Sequence, residues 1–487
     1  LLWSWERAYD TYSALSNIKA EKFAITPTLF TDPKNKNRIV VAEADLWDYP
    51  GMYLQPNTAK GVKGKWAQYP KKESDTADVY KYHRVLEREN FLAKVPGKRD
   101  YPWRVVMVTD KDTDLLNNEL IYKLARPQEI KDVSYIKPGK SAWEWWHDAI
   151  LETDKVASGP ERLSLDLYKV YIDFASRNHL EYVTLDAGWK MDYAKELCDY
   201  ARSKNVKVIV WDFINVPVQD PSQLDKIKAV GAVGIKVDLI ERDDQKAMQW
   251  IEKFVKECAK RELLVVLHGA PKPTGWQRTY PNIVNYEAVR GEECYKWDET
   301  PNPDYHVQFP FIRMLAGPLD FTPGSMRNVH RRDFKEIPHG VPQSMGTRVH
   351  EMAMYIVFDQ FLAYLSDAPT EYDKYPDTMA FLAEVPTTWD KTQPLIAEVG
   401  EYIVTARQKG NDWYIGAMTN SQGREITIDF SFLPDNSNYI AEFYHDNEKT
   451  VIDARAYTHD QFSVNRSDKK TVTLSPEGGM VMVLKKK

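Results

Sequence analysis

The spacing of apolar and polar residues changes character twice along the chain. Up to about residue 135 it alternates: RIVVAEADLW (38–47) and WRVVMVTD (103–110) read as strands, Pro50-Gly51 and Pro96-Gly97 as turns, and no helical stripe of useful length intervenes. Pro138-Gly139 marks a boundary. From there to about residue 380, short apolar runs alternate with helical stripes. The runs are AWEWW (142–146), YVTLDAGW (182–189), VKVIVWDF (206–213), residues 234–239, residues 263–269 and IVNYEA (283–288), with PLDFTPG (318–324) and YLSDAP (364–369) as seventh and eighth. The stripes are Leu167, Val170, Tyr171, Phe174 and Ala175, then Ala194, Leu197, Cys198 and Ala201, then a helix over 222–230. Next come Ala247, Met248, Ile251, Phe254, Val255 and Cys258, with Asp243 at the N-cap position, and a long helical segment over 348–365. After about residue 385 the chain returns to β spacing. A hairpin over 401–420 turns at Lys409-Gly410-Asn411-Asp412, EITIDFSF (425–432) alternates, and TVTLSPEGGMVMVL (471–484) reads as a last hairpin.

Repeated strand–helix units with strands apolar on both faces predict a central (β/α)8 barrel. A doubly wound sheet competes, but no glycine-rich dinucleotide fingerprint follows the first strand. The expected fold is multidomain α/β: an N-terminal β part over 1–138, the barrel over 139–384 and a C-terminal antiparallel β-sandwich over 385–487. A length of 487 residues fits two or three such units. The net charge of −6 is spread without long single-sign blocks, which argues against nucleic acid or an anionic membrane as main partner, and no apolar run approaches transmembrane length. Cys198, Cys258 and Cys294 make no disulfide framework or metal spacing and are expected as buried free thiols. The opening LLWSWERAYDTYSAL carries neither Met nor a signal-peptide pattern, so processing or truncation upstream is expected.

In a barrel the C-terminal strand ends carry the chemistry. Asp186, Asp212, Asp238, Glu287 and Asp320 all fall at such ends. One acid there is usually a loop hydrogen-bond acceptor. Several on one rim repel one another unless a cation or substrate offsets them, and this fits glycoside hydrolysis by paired carboxylates. On pattern alone, catalysis and plain loop acids weigh about equally. His268 lacks an HxH or HExxH partner, so a hydroxyl donor or a satisfied core histidine is favoured over a metal ligand. Strand alternation aims Lys236 along with Asp238, where it would keep that carboxylate ionised. The 15 Trp and 28 Tyr suit sugar faces, although most such rings serve the core.

KVD (236–238), HGAPKPTGWQRTYPN (268–282), NYEAVRGEE (285–293) and FIRMLAGPLDFTPG (311–324) resemble glycoside hydrolase family 97. The resemblance spans the chain and implies exo-acting α-glycosidases built from a β-sandwich, a (β/α)8 barrel and a C-terminal β-domain. The family's first domain needs a further stretch upstream, so the sandwich here is expected to be incomplete. The family's inverting α-glucosidases read HE where this chain has His268-Gly269, and carry glycine where it has Asp238. The retaining α-galactosidases match at both positions. The resemblance therefore implies Asp238 as nucleophile and Glu293 as acid/base, a pair that must lie about 5–5.5 Å apart. It implies Ca²⁺ held by Glu287, Glu293 and Glu6, with Glu43 as a substitute for Glu6. Substrate contacts are assigned to Lys236, His268, Arg278, Trp189 and Asp186. The expected function is a retaining, calcium-dependent α-galactosidase acting on an oligosaccharide or other α-galactoside in the periplasm or outside the cell, without nucleic acid or membrane insertion. The alternatives are an inverting α-glucosidase, for which no water-activating glutamate is found, and a sugar-binding protein without catalysis.

Overall fold

The structure is a computed structural model describing residues 5–9, 12–57, 61–74, 77, 81 and 83–487. Residues 1–4, 10 and 11 of the opening stretch lie outside the described residues.

Seven parallel strands form the central sheet: β1 (Gly139–Trp143), β2 (Tyr182–Leu185), β3 (Lys207–Phe213), β4 (Gly234–Asp238), β5 (Leu264–Leu267), β6 (Ile283–Tyr286) and β7 (Leu362–Leu365). Their order is β6-β5-β4-β3-β2-β1-β7, so β7 pairs with β1 and the sheet curls into a nearly closed barrel. The place between β6 and β7 belongs to 318–324, expected as a strand. It makes single bonds to both neighbours but no ladder: Asp320 N–H donates to the Tyr286 carbonyl at 2.7 Å and Pro323 C=O accepts from Ser366 N–H at 3.2 Å. Pro318 and Pro323 lack N–H groups, and Thr322 and Gly324 have left-handed backbone, so a continuous ladder cannot form.

Inside the barrel Trp143, Tyr182, Ile209, Leu264, Val266, Val284, Leu362 and Tyr364 pack together. Alternate strand positions such as Val183, Ile235, Val237 and Val265 face the surrounding helices. Those helices follow the expected stripes. In α1 (Leu165–Arg177) the buried face is Leu167, Tyr168, Tyr171, Ile172, Phe174 and Ala175, and Ser164 caps its start by accepting from Leu167 N–H. α2 (Met191–Ser203) buries Ala194, Leu197, Cys198 and Ala201, and α3 (Ser222–Val230) ends on left-handed Gly231. α4 (Gln245–Lys260) buries Ala247, Met248, Ile251, Phe254, Val255 and Cys258, of which Met248, Ile251, Phe254 and Val255 contribute about 1.5–3 kcal/mol each. Its N-cap is Asp244, not the expected Asp243. Asp244 is the extended residue and its carboxylate accepts from Ala247 N–H. Asp243 is instead buried towards the N-terminal part, where its C=O accepts from Gly51 N–H at 3.0 Å. All three cysteines are buried and unpaired, and no described helix is long and apolar enough to cross a membrane.

The C-terminal part is a six-stranded antiparallel sheet beside a two-stranded pair. The expected last hairpin does not form: Lys469–Leu474 pairs with Arg424–Asp429, whereas Gly479–Lys486 lies between Asp412–Thr419 and Asn438–His445. The Pro476–Gly478 connection passes the chain from one sheet to the other. Helix α5 (Arg348–Val357), ten residues and all buried, is clamped between barrel and sheet. Gly416 makes this approach possible, since a Cβ there would stand 3.0 Å from Ile356 Cβ and 3.1 Å from the Ala353 carbonyl.

In the N-terminal part Thr28–Thr31, Arg38–Ala44 and Trp103–Thr109 form one antiparallel sheet, and Ala24–Ile25, Met52–Pro56 and Val62–Trp66 another. The loop after β5 packs against them. Trp276 stacks on Trp47 with centroids 4.2 Å apart and donates to the Leu46 carbonyl at 2.6 Å. Lys272 Nζ lies 2.6 Å from Glu43 Oε1, and Arg104 Nη1 lies 2.6 Å from Glu43 Oε2. Glu43 and Lys272 are both buried, so removing Glu43 takes from the Lys272 ammonium its carboxylate partner at 2.6 Å. Glu43→Ala is expected to destabilise the protein by about 3–5 kcal/mol, read from its first urea transition, whereas an exposed pair such as Lys71–Glu87 contributes about 0–1 kcal/mol.

Candidate active site

The register of β3, β4 and β5 places Trp211, Lys236 and Val266 at one level and Phe213 and Asp238 at the next. Lys236 is buried, its Nζ 2.7 Å from Asp186 Oδ2 and 5.1 Å from the centre of the Trp143 ring. Burial opposes its charge, but the Asp186 and Asp238 carboxylates outweigh that and raise its pKa. Asp186, at the exit of β2, also accepts from the Trp143 indole at 2.7 Å and from Ala187 N–H at 2.7 Å. Asp238 closes β4 and its Oδ1 accepts from Leu239 N–H at 2.6 Å. Burial raises the Asp238 pKa, while Lys236 and the Leu239 N–H pull against it.

Beside Asp238, Gly269 has φ +52°, and a Cβ there would lie 2.6 Å from Leu239 N and 2.9 Å from Asp238 Oδ1. No side chain fits at 269 while Asp238 is present. Leu239, Glu241, Ala288 and Thr322 also hold left-handed backbone around this rim, a concentration of strain that function commonly retains.

His268, at the exit of β5, bridges two acids. Its Nε2 is 2.6 Å from Asp320 Oδ2 and its Nδ1 is 3.3 Å from Glu287 Oε2. Burial, then Lys236, push its pKa well down, so the ring is neutral. Burial raises Asp320 to about 8. Glu287 Oε2 accepts from Gly269 N–H at 3.1 Å. Glu293 lies in the one-turn helix Glu292–Lys296, and its Oε2 accepts from the Trp145 indole at 2.9 Å. Burial, followed by the nearby Glu6 carboxylate, raises Glu293 to about 7, with Lys236 opposing and Asp238 adding to the rise.

Oxygens of Glu6, Glu287 and Glu293 lie within 4.8 Å of one another, with Glu287 fully buried. Three hard-oxygen donors this close form a donor set that suits Ca²⁺ or Mg²⁺. Burial, then the Glu6 and Glu293 carboxylates, push Glu287 well above the usual carboxylate range.

Of the residues expected at the site, Asp186, Lys236, Asp238, His268, Glu287, Glu293 and Glu6 converge here, together with Asp320. Others do not. Asp212 pairs in register with Val237 and so faces the barrel exterior, opposite to Asp238. Trp189 borders the rim, its indole donating to the Trp211 carbonyl at 2.7 Å. Arg278 is not a substrate contact: its Nη1 donates to the carbonyls of Lys123 at 2.6 Å and Ala125 at 2.8 Å, closing off the helix Leu120–Leu124 of the N-terminal part. Glu43 cannot substitute for Glu6, because Met52 N–H, Lys272 and Arg104 already occupy both its oxygens.

Three participants went unread in the sequence. AWEWW (142–146) reads as a strand, but β1 ends at Trp143 and the indoles of Trp143 and Trp145 orient Asp186 and Glu293. Glu144 accepts from both Asp186 N–H and Tyr168 OH at 2.8 Å, and burial raises it to about 8. Three tryptophans around one glutamate at a barrel strand end was the available signal.

Comparison with known proteins follows the same outline. Residues 145–289 match the family model Glycoside hydrolase 97, residues 3–127 match Glycosyl-hydrolase 97 N-terminal, and residues 388–485 match Glycosyl-hydrolase 97 C-terminal, oligomerisation. The retaining alpha-galactosidase of Bacteroides thetaiotaomicron is 38% identical over 499 residues, covering 99% of this chain and 74% of that one. A Pseudoalteromonas glycoside hydrolase family 97 enzyme solved with acarbose superimposes with a TM-score of 0.86 at 25% identity, over 100% of this chain and 77% of that one. A beta-arabinopyranosidase shares the fold with a TM-score of 0.78 at 22% identity, over 99% and 75%.

The placement of Arg278 has a direct consequence. Arg278→Ala is expected to lower stability by about 1–3 kcal/mol through lost charged hydrogen bonds, seen as a lower Tm. Its kcat/KM on an aryl α-galactoside should stay at the wild-type value, and a selective rise in KM would contradict the assignment.

Proposed function

The chain belongs to glycoside hydrolase family 97, and within that family we propose that it is a retaining exo-α-galactosidase with Asp238 as nucleophile and Glu293 as acid/base. The observation that carries this reading is the pairing of Asp238 with Gly269. A carboxylate stands at the exit of β4, and the position after His268 has no room for a water-activating glutamate.

In the first step the Asp238 carboxylate attacks the anomeric carbon from the β face, and the bond to the leaving oxygen breaks as Glu293 gives that oxygen its proton. The product is a β-galactosyl ester of Asp238. In the second step Glu293 takes a proton from water, which attacks the same carbon from the α face and releases Asp238. Two inversions give net retention. Lys236 favours the ionised form of Asp238 against the cost of burial. Burial, the largest cause of the rise of Glu293, favours the protonated form that the first step uses, and a cation held by the same carboxylate would pull the other way. Neutral His268, fixed between Asp320 and Glu287, and Asp186, fixed by Trp143 and Lys236, are the groups that would receive sugar hydroxyls.

Glu6, Glu287 and Glu293 are the residues that would hold Ca²⁺. When bound, the ion would offset their charge and offer a Lewis-acidic contact for substrate oxygens. The choice of galactose over glucose or L-arabinopyranose rests on the likeness to the Bacteroides enzyme. An oligosaccharide or other α-galactoside as substrate, and action in the periplasm or outside the cell, rest on family membership.

Two outcomes test this reading. Galactose first released from p-nitrophenyl α-galactoside should appear by NMR as the α anomer. Asp238→Ala should lose on the order of 10³-fold or more in kcat, with azide restoring turnover and yielding β-galactosyl azide. Release of the β anomer, or full activity in the variant, would sink the nucleophile assignment. EDTA should abolish activity and Ca²⁺ restore it, with calorimetry of the stripped protein registering Ca²⁺ binding that Glu287→Gln weakens. Indifference to chelation would remove the metal.

A further inference from the structure

The FIRMLAGPLDFTPG segment carries family likeness, yet the chemistry above uses only its Asp320. Its arginine occupies an unusual environment. Arg313 is 3% exposed and opens the one-turn helix Arg313–Ala316 behind the acid cluster. Its Nε donates to the Ala288 carbonyl at 2.9 Å and its Nη1 to Gly317 at 2.9 Å. Its Nη2 faces Tyr286 at 3.3 Å, Glu287 at 3.0 Å and Pro318 at 3.1 Å. All five of these acceptors are backbone carbonyls. Three belong to consecutive residues, Tyr286 to Ala288, and this is possible because Ala288 turns left-handed at φ +41°.

The five carbonyls fall in two sets, one from each of two segments that carry the site. Tyr286–Ala288 holds Glu287, and Gly317–Pro318 leads directly to Asp320. His268 joins the same segments on the other side, through Asp320 Oδ2 and Glu287 Oε2. The Arg313 guanidinium ties the two segments through their backbone, and the His268 imidazole ties them through the side chains of Glu287 and Asp320. Only a flat group with five donors can span that carbonyl set; an ammonium has the charge but not the reach.

We propose that Arg313 is a positioning residue for Glu287, fixing the turn after β6 so that this carboxylate meets Glu6 and Glu293 and thereby setting the affinity for a divalent cation. The proposal rests on the calcium reading above. It assigns Arg313 no part in bond making.

The test is Arg313→Lys, which keeps the charge and loses the fork. Calcium affinity is measured by calorimetry on the stripped full chain, and independently by Tb³⁺ luminescence, sensitised through Trp145, whose indole holds Glu293. Displaced groups behind metal ligands commonly cost about 10–100-fold in affinity, and that weakening is expected for both ions, with kcat at saturating Ca²⁺ near wild type. A purely structural arginine would lower Tm and leave both affinities unchanged, and that result overturns the proposal. If the lysine variant does not fold, Arg313→Gln supports the same comparison. A wild-type protein that binds neither ion overturns the calcium reading itself, whereas wild-type binding with unaltered variant affinity overturns only the role of Arg313.

Discussion

One buried ammonium answers for a rim of acids. Lys236 touches Asp186 directly and acts through space on Asp238, Glu293 and Asp320. It also adds to the burial that pushes the His268 pKa down. Two unit charges about 4 Å apart at an effective dielectric near 20 interact by about 4 kcal/mol, so a single cation can hold one or two of these carboxyls ionised but not all. The protein divides them accordingly. Asp186 and Asp238 share the ammonium. Asp320 is raised by burial and leans on the neutral imidazole. Glu6, Glu287 and Glu293 crowd together on the far side, where each pair of charges within 4.8 Å would repel by about 3–4 kcal/mol. That excess calls for protons or a cation to offset it.

The arrangement explains why the N-terminal part is more than an appendage. Glu6 reaches the barrel rim from a segment that the sheet domain anchors, with Trp5 packed on Tyr53 beside Ala288. The loop after β5 answers from the other side. Lys272, Trp276 and Arg278 all engage the N-terminal part, so most of HGAPKPTGWQRTYPN is a seam between domains and only its first two residues border the chemistry. A seam of buried ion pairs and stacked indoles holds Glu6 in register with Glu287 and Glu293 more firmly than a flexible linker would.

Much of this was legible in the sequence, and the failures have physical causes. Unbroken apolar runs located the barrel strands and period-3.6 spacing the buried faces of α1, α2 and α4, because a strand buried on both sides and a helix buried on one leave different apolar records. The segment 318–324 looked like a strand because its apolar residues are buried, but prolines and left-handed residues deny it a ladder. The last hairpin failed because spacing cannot say which sheet a strand joins. Strand ends and family likeness drew attention to Asp238, Glu293 and Lys236, which the structure brings together at one rim. Arg278 was misassigned because a cation within a family motif looks like a ligand contact when its acceptors are backbone carbonyls a domain away. Trp145 was missed because an indole N–H that orients a carboxylate leaves the same letter as a core tryptophan.

Position 269 bears on the choice between the two mechanisms that the family likeness implies. A glutamate there would need its Cβ 2.6 Å from Leu239 N and 2.9 Å from Asp238 Oδ1, on backbone at φ +52°, where any side chain is strained. Removing the Asp238 side chain relieves only one of these contacts; the Leu239 amide must also move. A route from attack by Asp238 to a glutamate-activated water therefore needs two side-chain changes and a rearranged exit from β4. Either side-chain change alone leaves a clash or an empty site. The carboxylate at 238 and the bare backbone at 269 are thus one feature, and together they favour direct attack on the sugar carbon.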